Sequence, residues 1–231
     1  MSQRRLNHYK GELSAAQIAE GMNAAARNAI RLAEDAELLM ENKRYPSATS
    51  LAILSIEESG KVSILRGLSV ARNDKELKEA WKDYRSHTKK NVSWILIDMV
   101  KVGARKLDDF LPMFKDDAEH PYILDNLKQI GFYTDCLCNA HWSFPEEVID
   151  EDIAKMVVYL AKIFVSKKEI TEKEIELWIK HLGPVWKKHI KWMQQALENW
   201  YHEMQECGFA PEGPNEIRNF IKTGIKITKD P

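Results

Sequence analysis

Long apolar runs are missing from this 231-residue sequence. No stretch approaches the roughly 20 residues that a membrane-spanning helix needs. The opening residues, MSQRRLNHYKGELS, carry none of the apolar segment of a signal peptide, so a cytoplasmic location without a membrane partner is expected. Cysteine is scarce as well: Cys136, Cys138 and Cys207 are few and odd in number, unlike a disulfide framework and in keeping with a reducing compartment. Nor does charge of one sign dominate. With 34 basic and 35 acidic residues the net charge is -1, so no global field draws nucleic acid or anionic lipid, and any phosphate contact must come from a local patch. The chain also lacks internal repeats, low-complexity tracts, a Gly-rich phosphate loop and a defensible Ser-His-Asp pattern.

What is present is helical periodicity. Ser14 with Gln17 reads as a capping box, and Ile18, Met22, Ala25, Ala29, Leu32, Ala36 and Leu39 then repeat at helical spacing to about "ENKRYP". Pro46 suits the first turn of a second helix that is apolar on two faces, which places it in the middle of a bundle. Asn73 and Glu76 cap a third, whose stripe of Leu77, Trp81, Tyr84, Thr88, Asn91 and Ile95 runs to about "MVKVG" and turns polar halfway along. A loop is expected around "LDDFLPMFKDDAEHP" and a small β-hairpin near 131–144. Helices return in "PEEVIDEDIAKMVVYLAKIFV", after the capping box of Thr171 and Glu174, and beyond a break at Gly183 and Pro184. One mainly α domain over residues 1–210 is expected, with 211–231 as a loosely attached tail.

Reactive groups concentrate in two places. In "SIEESGKVSIL", Glu57 and Glu58 lie four and three residues before Lys61, so either can pair with it, and at least one must point into the bundle. This reads either as a buried ion pair that sets helix register or as support for a neighbouring site. In "KDYRSHTKKN", Arg85 and His87 have the residue types that metal-free phosphodiester cleavage requires. Histidine's ordinary pKa suits proton transfer near neutrality, and the guanidinium fork fits phosphate oxygens. Lys89 and Lys90 would add attraction for RNA, and Asn91 shares a side with His87 and Lys90. Geometry opposes the pair, because residues two apart on a regular helix point about 200° away from each other. Arg85 and His87 can converge only through a helix break or a second subunit. Otherwise they are the polar rim of a helix.

Other constellations read as structural. Cys136, Cys138 and His141 lack a second ligand pair at zinc-site spacing and are expected to be half-buried hairpin residues, so no metal is assigned. His181, His189 and His202 fall among Trp178, Trp186, Trp192 and Trp200, whose spacing suits core or interface anchors.

The order of "AAARNAIRLAEDAELLMENKRYPSATSLAILSIEESGKVSIL", "YRSHTKKN" and "GFYTDCLCNAHWSFPEEVI", covering roughly Ser14 to Val165, resembles the AbiV family of bacterial abortive-infection proteins, part of the wider HEPN group. The resemblance implies an antiparallel, up-and-down helical bundle and a part in defence against bacteriophage. It also implies arrest of translation triggered by a phage-encoded protein and, as in many HEPN proteins, a homodimeric metal-independent endoribonuclease without a cofactor. On that reading Arg85 and His87 are catalytic, Lys89 and Lys90 hold RNA, and Glu57, Glu58, Lys61 and Asn91 support them. HEPN nucleases set their Arg and His four to six residues apart, meeting at the dimer interface. Here "RSH" at Arg85 to His87 is the nearest substitute. The alternative is a non-enzymatic toxin or sensor that binds a phage protein or the translation machinery through the Trp-rich C-terminal helices.

Overall fold

A computed structural model describes residues 7–115 and 117–224. It begins with the expected helical hairpin: α1 (Ala15–Glu41) is opened by the Ser14/Gln17 capping box, and α2 (Tyr45–Ser69) by Pro46 in its first turn. Small residues let the two backbones come close. Ala33 and Ala36 pack on Ala48 and Ala52, Ser55 Oγ donates to the Ala29 carbonyl at 2.7 Å, and Ile18 and Met22 meet Leu65 and Leu68 at the far end. Because α2 buries residues on two faces it forms the axis of the bundle, and Glu57 on it is only 2% exposed.

The third helix does not run unbroken. α3 (Asp74–Arg85) stops at Ser86, whose backbone is extended at φ −82° and ψ 127°, and Ser86 then caps the single turn α4 (His87–Lys90) through its hydroxyl. A 3₁₀ turn over Val92–Ile95 leads into α5 (Leu96–Lys101). Serine favours this role because its hydroxyl accepts from an otherwise unpaired N–H of the next turn. The expected loop region carries α6 (Leu107–Phe110) and a 3₁₀ turn at Leu111–Phe114, and is followed by α7 (His120–Phe132), a helix the sequence reading did not assign. Trp94 Nε1 donates to the His120 carbonyl at 2.9 Å, and the His120 ring bonds the Val92 carbonyl at 2.8 Å. These two bonds pin the start of α7 beside the turn that follows α4.

The hairpin is present. β1 (Asp135–Leu137) pairs antiparallel with β2 (His141–Ser143), and Asn139 and Ala140 turn the chain at φ near 60°. Its exposed residues correct the expectation of a half-buried hairpin. Next come α8 (Pro145–Val148), α9 (Glu151–Phe164), which lays Val157, Val158 and Ala161 in the core with α2, and α10 (Glu172–Leu182) behind its Thr171/Glu174 box. The chain breaks at Gly183–Val185 and continues in α11 (Ile190–Glu206). The segment expected as a tail carries α12 (Glu216–Lys222), whose Arg218 and Lys222 reach the buried Glu198 at 3.0 and 3.3 Å; residues 225–231 lie outside the described residues.

Candidate functional site

The break at Ser86 separates Arg85 from His87 and sends them to different places. Arg85 lies 5.0 Å over the Trp81 ring, and its guanidinium donates to the carbonyls of Trp81 at 3.0 Å and Tyr9 at 2.6 Å. His87 turns the other way, to Glu57, and no hydrogen bond joins it to Arg85. Both residues nonetheless flank Lys90. Its ammonium lies 3.3 Å from Glu57 Oε2, and Lys90 also lines a shallow depression with Arg85, Lys61, His8 and Tyr9.

Around Glu57 the bundle assembles a charged cluster from three helices. His87 Nδ1 is 2.6 Å from Oε2, and Lys128 Nζ is 2.5 Å from Oε1. Lys128 also donates to Asp125 Oδ1 at 2.8 Å and lies 3.1 Å from His87 Nδ1. The carboxylate at 2.6 Å assigns the imidazole proton to Nδ1, leaving Nε2 with a lone pair and no partner among the described residues. The side chain of His87 is 52% exposed whereas Glu57, Lys128 and Lys90 are 2%, 5% and 7% exposed. A buried acceptor therefore orients a histidine whose free nitrogen looks outward, the arrangement a proton-transfer group needs.

Of the other expected residues, Glu58 and Lys61 pair with each other at 2.5 Å, separate from Glu57, with Lys61 5.2 Å over the Tyr84 ring. Asn91 is fully buried, and neither atom of its amide has a hydrogen-bond partner among the described residues. Lys89 lines a second cleft, which has Lys90 in common with the Arg85 depression. Asp125 and Lys128 escaped the sequence reading. The signal was Pro121 in a first turn and Leu124 and Leu127 at helical spacing, with Asp125 and Lys128 as an i,i+3 pair; nothing local tied Lys128 to a glutamate 71 residues away.

Ligand-type atoms of Glu57, His87 and Asp125 lie within 4.8 Å of one another, the one such group among the described residues. Lys128 Nζ stands 2.5 Å from Glu57, 3.1 Å from His87 and 2.8 Å from Asp125, where a cation would sit. With Lys90 adjacent, a dication would meet two ammonium groups at short range, so the donor set fits lysine better than a metal.

Gly60 makes this geometry possible. A Cβ there would fall inside contact distance of the Lys90 carbonyl oxygen, so only glycine lets α4 sit this close to α2. Gly60→Ala is expected to cost about 1–3 kcal/mol, as overpacking against backbone does. Thermal unfolding measures that loss, and the same shift should move Lys90 away from Glu57.

Trp178 and Trp200 are buried, with ring centroids 5.3 Å apart at 90°, and Trp186 packs 6.3 Å from Trp178. Three of the four C-terminal tryptophans thus belong to the packing of α10 and α11, while Trp192 is exposed. His181 and His202 bond Glu203 and Glu206, and His189 caps α11. Cys136 and Cys138 are exposed and form no ligand-distance group with His141 among the described residues. No described helix is long and apolar enough to cross a membrane.

A family model described as AbiV, of the HEPN group, matches residues 17–166. That span contains Glu57, His87, Lys90, Asp125 and Lys128. No curated protein and no solved structure gives a significant match.

Proposed function

The chain belongs to the AbiV family of HEPN-like abortive-infection proteins, and from that premise we propose that it arrests an infected cell by cutting RNA without a metal ion, with His87 moving the proton. The observation that carries the reading is His87 held by Nδ1 on the buried Glu57 with Nε2 free and outward. In the reaction, Nε2 takes the proton of a ribose 2′-hydroxyl as that oxygen forms a bond to phosphorus. The bond from phosphorus to the 5′-oxygen then breaks, a solvent water gives the leaving oxygen its proton, and the imidazolium of His87 returns the proton it took to the hydroxide so formed. The products are a 2′,3′-cyclic phosphate and a 5′-hydroxyl end. Arg85 borders the adjoining depression with Lys61 and Lys90, whose charges Glu58 and Glu57 take up, and Arg85 keeps part of its donor fork for phosphate oxygens. Glu57, Lys128 and Asp125 position the histidine.

The test is purified protein with total cellular RNA, alone and with extract from phage-infected cells as the source of a phage-encoded trigger, each with and without EDTA. Cleavage that survives EDTA and leaves cyclic phosphate ends is expected. Intact RNA in every arm, or cleavage abolished by EDTA, overturns the reading.

The working unit is a homodimer formed through the apolar stretch beside the site. Phe132 lies one turn beyond Lys128 on α7 and is exposed, and Tyr133, Leu137, Trp142 and Phe144 follow it on the hairpin, exposed as well. A monomer does not ordinarily show so many large apolar side chains along one short stretch. Trp142→Glu with Tyr133→Glu is expected to turn a dimer into a monomer in light scattering and to remove RNA cleavage with it. A monomeric parent protein, or a dimer untouched by both changes, counts against this surface.

A further inference from the structure

A cleft of about 350 Å³, which shares Lys90 with the Arg85 depression, opens between α2, α3, α4 and the Leu111–Phe114 turn. Three aromatic rings line it: Phe114 and Tyr122, 58% and 56% exposed, and Trp186. Lys89, Lys115 and Lys187 also line it, with the Lys187 ammonium 3.8 Å from Glu79. Of the two carboxylates on the wall, Glu76 is taken by Arg72 in a close pair that holds its pKa down to about 2, and Asp83 has no partner among the described residues. Large rings left open to solvent beside lysines are what a single nucleic-acid strand requires, since every base offers a face to stack and every nucleotide a phosphate.

We infer that this cleft holds one unpaired base of the RNA strand whose phosphodiester lies at His87. The inference rests on RNA being the target and adds where the strand is gripped. Continuity supports it: Thr88, Lys89 and Lys90 line the cleft, His87 opens the same helical turn, and Lys90 borders both the cleft and the Arg85 depression. A strand crossing α4 would keep its phosphates towards the lysines of the cleft rim, Lys115 and Lys187 among them, and turn one base in among the rings. Asp83 is placed to accept an N–H from the edge of that base, as carboxylates do from exocyclic amino groups. Neighbouring apolar residues such as Ile64 and Ala80 suit the flat ring and offer nothing to a second phosphate.

The probe is a fluorescein-labelled, 2′-O-methylated RNA hexanucleotide, which cannot be cut, titrated against the full-length protein by fluorescence anisotropy. Phe114→Ala and Tyr122→Ala are each expected to weaken binding about 5- to 150-fold, the usual effect of losing one stacking ring. Tyr122→Phe should bind like the parent, and an abasic strand should bind weakly and equally to all variants. Circular dichroism establishes that the alanine variants are folded. Absence of binding to the parent protein, or parent-like affinity in both folded alanine variants, overturns the inference. So does ring-dependent capture of an apolar peptide without ring-dependent capture of RNA. Ring-dependent binding by a protein that never cuts RNA would sink the cleavage reading and leave this one standing. Cleavage at the parent's rate and affinity by the alanine variants would do the reverse.

Discussion

His87→Ala is expected to lower the rate of RNA cleavage by a factor of about 10²–10⁴, the range lost when a positioned acid or base is removed. The fold should survive the change, because the imidazole is half exposed and Glu57 keeps both ammonium partners, Lys128 at 2.5 Å and Lys90 at 3.3 Å. A shift in thermal midpoint of only a few degrees should therefore accompany the loss of rate. His87→Gln sharpens the test, since an amide can still donate to Glu57 but cannot carry the proton: it should be as inactive as the alanine variant. Product ends are read by their cyclic phosphate in both variants and the parent. Parent-like rates in either variant would remove His87 from the chemistry. If the parent is inactive for want of its trigger, the comparison is made in infected-cell extract, where the same ratio applies.

Loss of the buried carboxylate should be felt first in stability. Glu57→Ala leaves two ammonium groups, 5% and 7% exposed, without the charge that offsets their burial. Removing one partner of a buried ion pair typically costs about 3–5 kcal/mol. For a chain of this size that corresponds to a fall in thermal midpoint of roughly 6–20 °C. Asp125 softens the effect, because it still holds Lys128 at 2.8 Å. Replacing the whole set, Glu57→Leu with Lys90→Met and Lys128→Met, is expected to restore most of the stability, since apolar side chains of similar volume fill such sites at little cost. Activity should not return with it: the histidine would have lost the acceptor that orients it. Urea unfolding of the three proteins decides the matter, and a Glu57→Ala variant as stable as the parent would mean that the cluster is not buried as described.

The two experiments separate the architectural part of Glu57 from the part proposed for it in the chemistry. Glu57 is the hub: it neutralises lysines delivered by α4 and α7 and fixes the ring on α4. The buried ion pair expected of Glu57 is present, although its partners are Lys90 and Lys128 and not Lys61, which pairs with Glu58.

Local pattern determined a great deal by itself. Capping boxes at Ser14 and Thr171, the apolar stripe of α1, the two-faced character of α2 and the hairpin near 131–144 are all settled within a few residues of one another, and all stand in the structure. Such features depend on 3.6-residue periodicity and on unpaired N–H groups at helix ends, which neighbouring residues alone can satisfy. Ser86 was legible in principle as a cap, yet the Trp81, Tyr84, Thr88 and Asn91 stripe argued for one continuous helix and concealed the break. Only the tertiary structure decided where the reactive groups go. His87 meets a carboxylate 30 residues earlier and Lys128 meets the same one 71 residues away, and Arg85 is drawn to a backbone carbonyl at Tyr9. Those meetings follow from how closely α4 and α7 approach α2, set at Gly60 and by the bonds between Trp94 and His120, and no spacing along the chain encodes the distance between two helices.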